Sequence, residues 1–153
     1  MHWLEHRIPP PVVGVLIGAA MWALARATSV LEVQLYLRIA TASVFIVAGL
    51  TIAALGAVAF RNASTTVNPL RPESTSSMVV SGVYALTRNP MYVGFALVLV
   101  GWGAYLAAPA AFLGPVVFIA FITRFQIIPE ERALSAKFGR EFAEYTAKVR
   151  RWL

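Results

Sequence analysis

The chain has 153 residues, 59% of them hydrophobic and only 13% charged, where soluble chains carry about a quarter charged. With a mean hydropathy of +0.70, this composition excludes disorder and argues against an ordinary soluble globule, and the length points to one domain, residues 1–153. The formal charge of +6 would raise nucleic-acid binding in a soluble protein; here basic residues on the cytoplasmic flanks of membrane helices account for it better, and no nucleic-acid partner is expected.

The first uncharged run, Ile8 to Ala25, opens with Pro9, Pro10 and Pro11 and predicts a crossing at about residues 9–26. A signal peptide is the alternative, since Ala23-Leu24-Ala25 resembles a cleavage site; the single firm charge, Arg7, and the proline triplet fit that reading poorly. Gly14 and Gly18 form a small-xxx-small pair, which either serves helix packing in lipid or is chance in a Gly/Ala-rich segment. Ile39 to Phe60, about 22 residues, predicts a second crossing at about 38–61. Arg38 reads as an external anchor that reaches the headgroups. The run from Asn89 to Thr123 is about 35 residues. A single helix of that length would be roughly 50 Å long, too long for a hydrocarbon layer of about 30 Å. Pro109 supplies a turn, giving crossings at about 92–107 and 110–128.

Four crossings place both termini and the loop from Arg61 to Met91 on one face. That face holds Arg7, Arg61, Arg71, Arg88, Arg124 and the six basic residues after Pro129; the other holds Arg26 and Arg38. The rich face is therefore expected in the cytoplasm, with the protein integral to the cytoplasmic membrane. The expected architecture is an all-α polytopic membrane protein of four transmembrane helices. Its expected partner is the lipid bilayer, and its oligomeric state is not encoded in any motif.

Two polar pieces share the cytoplasmic face. The loop at 62–91 is punctuated by apolar and aromatic residues, among them Val79, Val80, Tyr84, Leu86 and Tyr92, which disfavours a plain linker. Gly82 marks a tight turn and Pro90 a helix start. After Pro129, the residues Leu134, Phe138, Phe142, Tyr145, Val149 and Trp152 recur at steps of 4, 4, 3, 4 and 3, one face of an amphipathic helix over about 130–151. That helix either lies on the headgroups or closes over the loop. Glu130 and Glu131 read either as first-turn acids favoured by the helix dipole or as carboxylates near the bilayer that need a cationic partner. Arg88 is either a membrane-flank anchor or a carboxylate ligand.

The chemistry is limited by what is missing. No cysteine and no aspartate occur, and the two histidines, His2 and His6, lie by the N-terminus. No metal site, Ser-His-Asp arrangement or phosphate-binding glycine loop is expected.

Two stretches together resemble the isoprenylcysteine carboxyl methyltransferase family and its phospholipid methyltransferase relatives. One is Gly82-Val-Tyr84-Ala-Leu-Thr-Arg88-Asn89-Pro90-Met91-Tyr92-Val-Gly94, similar to a G-x-Y-x-x-x-R-[HN]-P-x-Y-x-G element. The other runs from Glu130-Glu131 through Leu134, Phe138-Gly139, Phe142, Tyr145 and Val149 to Arg151-Trp152. The resemblance covers about residues 60–152. It implies S-adenosylmethionine as methyl donor, held in a cytosol-facing pocket by Val80, Gly82, Tyr84, Arg88, Asn89, Pro90, Tyr92, Glu130 and Glu131. Glu131, Arg88 and Arg151 are the implied catalytic residues, Arg151 facing the acceptor, with Arg150 a weaker candidate. Carboxyl O-methylation is the implied reaction. The chain departs from the family pattern where Asn89 stands for a frequent histidine and Phe142 for a frequent tyrosine. A carboxylate acceptor needs no general base; an amine acceptor would need one, and glutamate is the available type. An NADPH-dependent membrane reductase and a non-catalytic membrane scaffold assembled through Gly14 and Gly18 are the competing readings.

Overall fold

The computed structural model describes residues 8–62 and 78–153. The expectations for His2, His6, Arg7, Arg71 and the loop residues 63–77 lie outside the described residues. Among the described residues five α-helices carry the fold: α1 (Pro10–Ala27), α2 (Leu35–Asn62), α3 (Pro90–Leu106), α4 (Leu113–Ile122) and α5 (Ile128–Lys148). No strand occurs among the described residues. Among the described residues three helical stretches are long and apolar enough to cross a membrane: Pro10–Ala27, Leu35–Asn62 and the continuous rod Pro109–Lys148. Pro90–Leu106 is a shorter apolar helix of 17 residues, about 25 Å long.

α3 is the central element. It packs along α2 over most of its length and also touches α1 and α4. In lipid, apolar side chains gain little by leaving one hydrocarbon for another, so helices associate where small residues let backbones approach. The α2–α3 seam is built this way. A methyl group at Gly49 would sit 2.5 Å from the Gly94 carbonyl. One at Gly94 would collide with the Gly49 carbonyl and lie 2.8 Å from Ala53 Cβ. One at Gly101 would sit 2.9 Å from the Ala42 carbonyl. By contrast, Gly14 and Gly18 make no such approach: a Cβ there would meet Phe118, or Leu99 and Trp102, at ordinary contact distances of 3.9–4.0 Å. They face the protein's own interior, where the Gly18 carbonyl accepts a hydrogen bond from Trp102 Nε1 at 3.0 Å. Tight glycine packing therefore lies on α2 and α3, and at Gly114 of α4 against Met21, rather than at Gly14 and Gly18.

The hairpin forms where Pro109 predicts it. Ala107 takes the left-handed conformation (φ 51°) and ends α3, and Pro109–Phe112 make one 3₁₀ turn before α4. The Leu31 amide donates to the Ala107 carbonyl at 2.8 Å, so the α1–α2 connection and the hairpin meet at one end of the bundle. Arg38 is a clamp on that connection: its Nε donates to the Val33 carbonyl at 2.9 Å and its Nη2 to the Leu31 carbonyl at 2.8 Å.

The C-terminal region departs from its periodicity twice. First, α4 does not stop before Pro129. The chain stays helical through Thr123–Ile127, where it widens to a π turn, and continues into α5. Proline lacks an amide hydrogen and crowds the carbonyl four residues back, here Phe125, and a widened turn relieves that crowding. Glu130 and Glu131 thus sit inside a continuous rod, not at an exposed helix start. Second, the expected helix over 130–151 breaks at Gly139 (φ 49°, ψ −113°), a conformation that glycine alone reaches readily. It then ends at Lys148, with Val149 extended. The stripe from Leu134 to Trp152 is therefore not one helical face. Phe142 and Val149 are still buried, because the chain folds back and packs them after the break.

Candidate active site

The polar residues gather at the other end of α3 from the hairpin. The approach to α3 is a short 3₁₀ turn, Gly82–Ala85, entered through Gly82 at positive φ (62°). This turn buries Tyr84 against α2, its ring meeting Phe60 edge-on with centroids 5.2 Å apart. From the other side, Tyr145 Oη in the last part of α5 donates to the Tyr84 carbonyl at 2.6 Å.

Residues 87–89 form the junction with the C-terminal segment. The Arg88 amide donates to the Arg150 carbonyl at 3.0 Å. Asn89 Nδ2 donates to the Arg151 carbonyl at 2.8 Å, and Thr87 Oγ1 reaches the same carbonyl at 3.3 Å. One backbone bond and two side-chain bonds to backbone carbonyls thus fix the register of two stretches over 60 residues apart in the chain. The asparagine at 89 does this work by hydrogen bonding alone, without the titration a histidine would bring.

On this frame the charges meet. Arg151 forms a two-pronged pair with Glu131, Nε to Oε1 at 3.0 Å and Nη2 to Oε2 at 2.6 Å. Arg88 Nη1 lies 3.1 Å from Glu131 Oε1. The side chains of Arg88 and Glu131 are only 14% and 19% exposed, so these pairs are shielded from water more than surface bridges are. Glu131 thereby joins the two sequence elements. The Glu131 hydrogen bonds push the Arg151 guanidinium upward from its already high range. Arg88 Nε is buried and has no hydrogen-bond partner among the described residues.

Glu130 points elsewhere. It accepts a hydrogen bond from Tyr92 Oη on α3 at 2.6 Å. Burial pushes its carboxyl up to about 8, with Glu131 adding to the rise and the Tyr92 bond opposing it. Burial likewise pushes the Tyr84 phenol well above its usual range and the Tyr145 phenol up to about 12, Arg88 pulling the latter back.

The expected site residues thus divide. Tyr84, Arg88, Asn89, Glu131 and Arg151 form one connected cluster, and Tyr92 with Glu130 a second beside it. Pro90 is buried and opens α3. Val80 and Gly82 stand apart, lining an open cavity of about 730 Å³ against Leu55, Val58 and Ala59 of α2. Arg150 contributes its carbonyl to the junction and exposes its side chain. The guanidinium fork of Arg151, expected to face an acceptor, grips Glu131. Thr87 is buried and belongs to the junction, though sequence reasoning misses it; it occupies a variable position in the first element, and its signal is only its place between Tyr84 and Arg88. The Trp152 indole donates to Thr123 Oγ1 at 3.1 Å, and Gln126 Nε2 to the Ile8 carbonyl at 3.2 Å. The widened turn thus carries the side chains that tie both ends of the described chain to α4.

A family model described as phospholipid methyltransferase matches residues 37–141. A protein of Haemophilus influenzae described as uncharacterized is 46% identical over 63 residues, 41% of this chain and all of that one. A probable protein-S-isoprenylcysteine O-methyltransferase of Oryza sativa subsp. indica is 35% identical over 109 residues, 69% of this chain and 56% of the relative. Protein-S-isoprenylcysteine O-methyltransferase B of Arabidopsis thaliana is 32% identical over 111 residues, 66% of this chain and 55% of the relative. The chain spans about half the length of these plant relatives. No solved structure matches it.

Proposed function

The chain belongs to the phospholipid methyltransferase family, and from that premise we propose that it is an integral membrane enzyme that moves a methyl group from S-adenosylmethionine to a lipidic or small hydrophobic acceptor. Carboxyl O-methylation is the favoured reaction, by likeness to the plant O-methyltransferases. Residues 1–153 act as one domain. The termini and the loop around residues 62–89 face the cytoplasm, in keeping with the distribution of basic residues. The family match gives no support to the NADPH reductase or the scaffold.

The observation that carries this reading is Glu131 held between Arg88 and Arg151. It unites two motifs, far apart in the chain, that a cofactor-binding membrane enzyme would need at one place. The donor set also suits an amino-acid end. The unpartnered Arg88 Nε is a buried donor that fits a carboxylate oxygen, and Glu130, whose hydrogen bond comes from a phenol, fits a cationic group. S-Adenosylmethionine supplies, when bound, a sulfonium methyl open to in-line attack.

The protein's part is to bind, orient and keep water out. Glu131 is a positioning residue: its two oxygens fix both guanidinium planes, so neither arginine has to be ordered when a ligand arrives. Arg88 holds the carboxylate end. Arg151 keeps Nη1 outside its pair with Glu131, and on this reading that nitrogen binds the acceptor carboxylate. Asn89 and Thr87 hold the Arg151 backbone and so the position of its side chain. Pro90 and Tyr92 shape the walls, while Val80 and Gly82 line the separate cavity against α2. No histidine is required, because an ionised carboxylate already carries the attacking lone pair.

The test is calorimetric titration of S-adenosylhomocysteine into wild type, Glu131→Gln and Arg88→Ala in detergent or nanodiscs. At least tenfold weaker binding by both folded variants is expected. Wild-type affinity in folded Glu131→Gln would remove that carboxylate from the site. Arg151→Ala is expected to lower methyl incorporation into extracted lipid more than it weakens cofactor binding.

A further inference from the structure

Gln126 is a buried polar side chain to which the site described above gives no task. It is 1% exposed. Its Nε2 donates to the Ile8 carbonyl at 3.2 Å. A carbonyl accepts and cannot donate, so this bond fixes which end of the amide is nitrogen. The other end, Oε1, has no hydrogen-bond partner among the described residues. An acceptor kept from water and left unpaired is costly, and in a folded protein it calls for a cause. The neighbouring donors are already committed, Tyr92 Oη to Glu130 and the Trp152 indole to Thr123. The position is set by the π turn Thr123–Ile127; such turns recur at functional sites. Gln126 and Glu130 are four residues apart on the continuous rod, so they share a face one turn apart. Ile8, to which Gln126 is tied, packs against the buried cluster that holds Tyr92, Ile122 and Ile127. Gln126 therefore borders the Tyr92–Glu130 end of the site, on the side toward α4 and the membrane.

We propose that Gln126 is a specificity-determining contact, its Oε1 accepting a hydrogen bond from an N–H or O–H group of a bound substrate. The inference rests on the methyl-donor reading above. Two substrates can carry such a group. The methyl donor has ribose hydroxyls and amines, and a methyl acceptor has one where its head bears an amide, alcohol or amine. A bare carboxylate has none, so a simple fatty acid gains nothing from Gln126. The Ile8 bond plays the supporting part: it holds the amide so that oxygen and nitrogen cannot change places, and the site presents an acceptor only. Discrimination of this kind is strong, because a ligand without the donor leaves a buried oxygen unpaired.

The test is Gln126→Met, which keeps the length of the side chain and removes both polar atoms. In the ligand-free protein it loses the Ile8 bond and also the unpaired oxygen. These effects have opposite signs, so the melting temperature is expected to move by no more than about 3 °C. Substrate binding is not spared in this way. Calorimetric titration of S-adenosylhomocysteine reads the donor side. KM for extracted lipid, at saturating S-adenosylmethionine, reads the acceptor side. A loss of about tenfold on at least one side is expected, with the ligand-free melting temperature kept. Weaker binding of S-adenosylhomocysteine assigns Oε1 to the methyl donor; a raised KM for lipid with little change in kcat assigns it to the acceptor head. Wild-type values on both sides overturn the contact, leave an internal water as the partner of Oε1, and leave the methyl-donor reading intact. A larger fall in the ligand-free melting temperature makes the role structural and overturns it as well. Should Gln126→Met fail to fold, Gln126→Leu replaces it, and failure of both places Gln126 in the framework and overturns the contact. If folded wild type does not bind S-adenosylhomocysteine, the methyl-donor reading falls and this contact falls with it.

Discussion

The α2–α3 seam and the junction around Glu131 join distant parts of the chain by opposite means. The seam works because side chains are missing: Gly49, Gly94 and Gly101 let two backbones approach in a medium where apolar burial gives little advantage. The junction works because side chains are present, with Glu131, Arg88 and Arg151 meeting over hydrogen bonds from the Thr87 and Asn89 side chains and the Arg88 amide to the C-terminal backbone. The first tolerates no added atom, and the second tolerates no lost charge. The two lie on the same helix, since α3 begins at the junction and carries Gly94 one turn later. Positioning of the arginines therefore depends on how closely α3 is drawn against α2.

The largest effect is expected from adding atoms to the seam. Gly94→Leu places a branched side chain where a single Cβ already collides with the Gly49 backbone and crowds Ala53. Backbone cannot yield as a flexible side chain can, so the cost should exceed the usual 1–3 kcal/mol of overpacking, at about 4 kcal/mol or more. The expected outcome is loss of a monodisperse, thermally cooperative species in detergent. The control is Gly18→Ala, whose Cβ would meet its neighbours at 3.9–4.0 Å and should leave the melting profile nearly unchanged.

Removing charge from the junction comes second. Glu131→Gln keeps the shape of the side chain but leaves two guanidinium groups facing a neutral amide. Breaking a fully buried pair costs about 3–5 kcal/mol. Here Arg151 is 38% exposed, and water recovers part of the loss, so about 2 kcal/mol is expected, read as a shift of the denaturation midpoint. The comparison is sharpened by Thr87→Val, which deletes a neutral bond to the Arg151 carbonyl and should cost about 1 kcal/mol.

The contrast also shows which parts of the molecule the sequence discloses. The spans are legible because an uncharged run of bilayer length seldom has any use outside a membrane, and Pro109 marks the hairpin. That the two polar elements come together follows from their motif resemblance, and Glu131, Arg88 and Arg151 do converge. The direction of that convergence is hidden. The Arg151 fork turns to Glu131 because a carboxylate of the same chain lies within reach, a fact of three dimensions that spacing does not contain. The amphipathic stripe from Leu134 to Trp152 misleads because Gly139 is a single residue whose helical and left-handed readings look alike in a periodic pattern. Pro129 misleads similarly: proline usually marks a helix start, and here a π turn absorbs it within a rod. The small-residue pair at Gly14 and Gly18 draws attention by its spacing, while Gly49 and Gly94, on different helices, have no spacing to notice.

Within the junction, the Glu130 carboxyl offers a pH signature opposite to that of a salt-bridged acid. Its folded value near 8 lies above the ordinary 4.5, so between those values the folded protein holds a proton that the unfolded chain has released. Stability contributed by this group is therefore full below about pH 4.5, falls as pH rises toward 8, and is flat above. Subtracting the melting curve of Glu130→Gln from that of wild type isolates it. The difference should move against wild type across that window by on the order of 1 kcal/mol, since the residue is only partly buried. A difference that moves in favour of wild type with rising pH would mean that Glu130 is an ionised, paired carboxylate like its neighbour.

The smallest effect belongs to an ionic contact that shares the junction's groups and differs in surroundings. Arg140 Nε lies 2.8 Å from Glu144 Oε1, shorter than the Arg88–Glu131 contact at 3.1 Å. Distance alone would rank it higher. Its side chains, however, are 92% and 59% exposed, and water and salt screen the attraction while both long side chains lose freedom to keep it. Arg140→Ala should therefore change stability by less than about 0.5 kcal/mol and leave cofactor affinity unchanged. A shift as large as that of Glu131→Gln would mean that contact length, and not shielding by the Tyr84–Tyr92 segment, sets the strength of the ion pairs along α5.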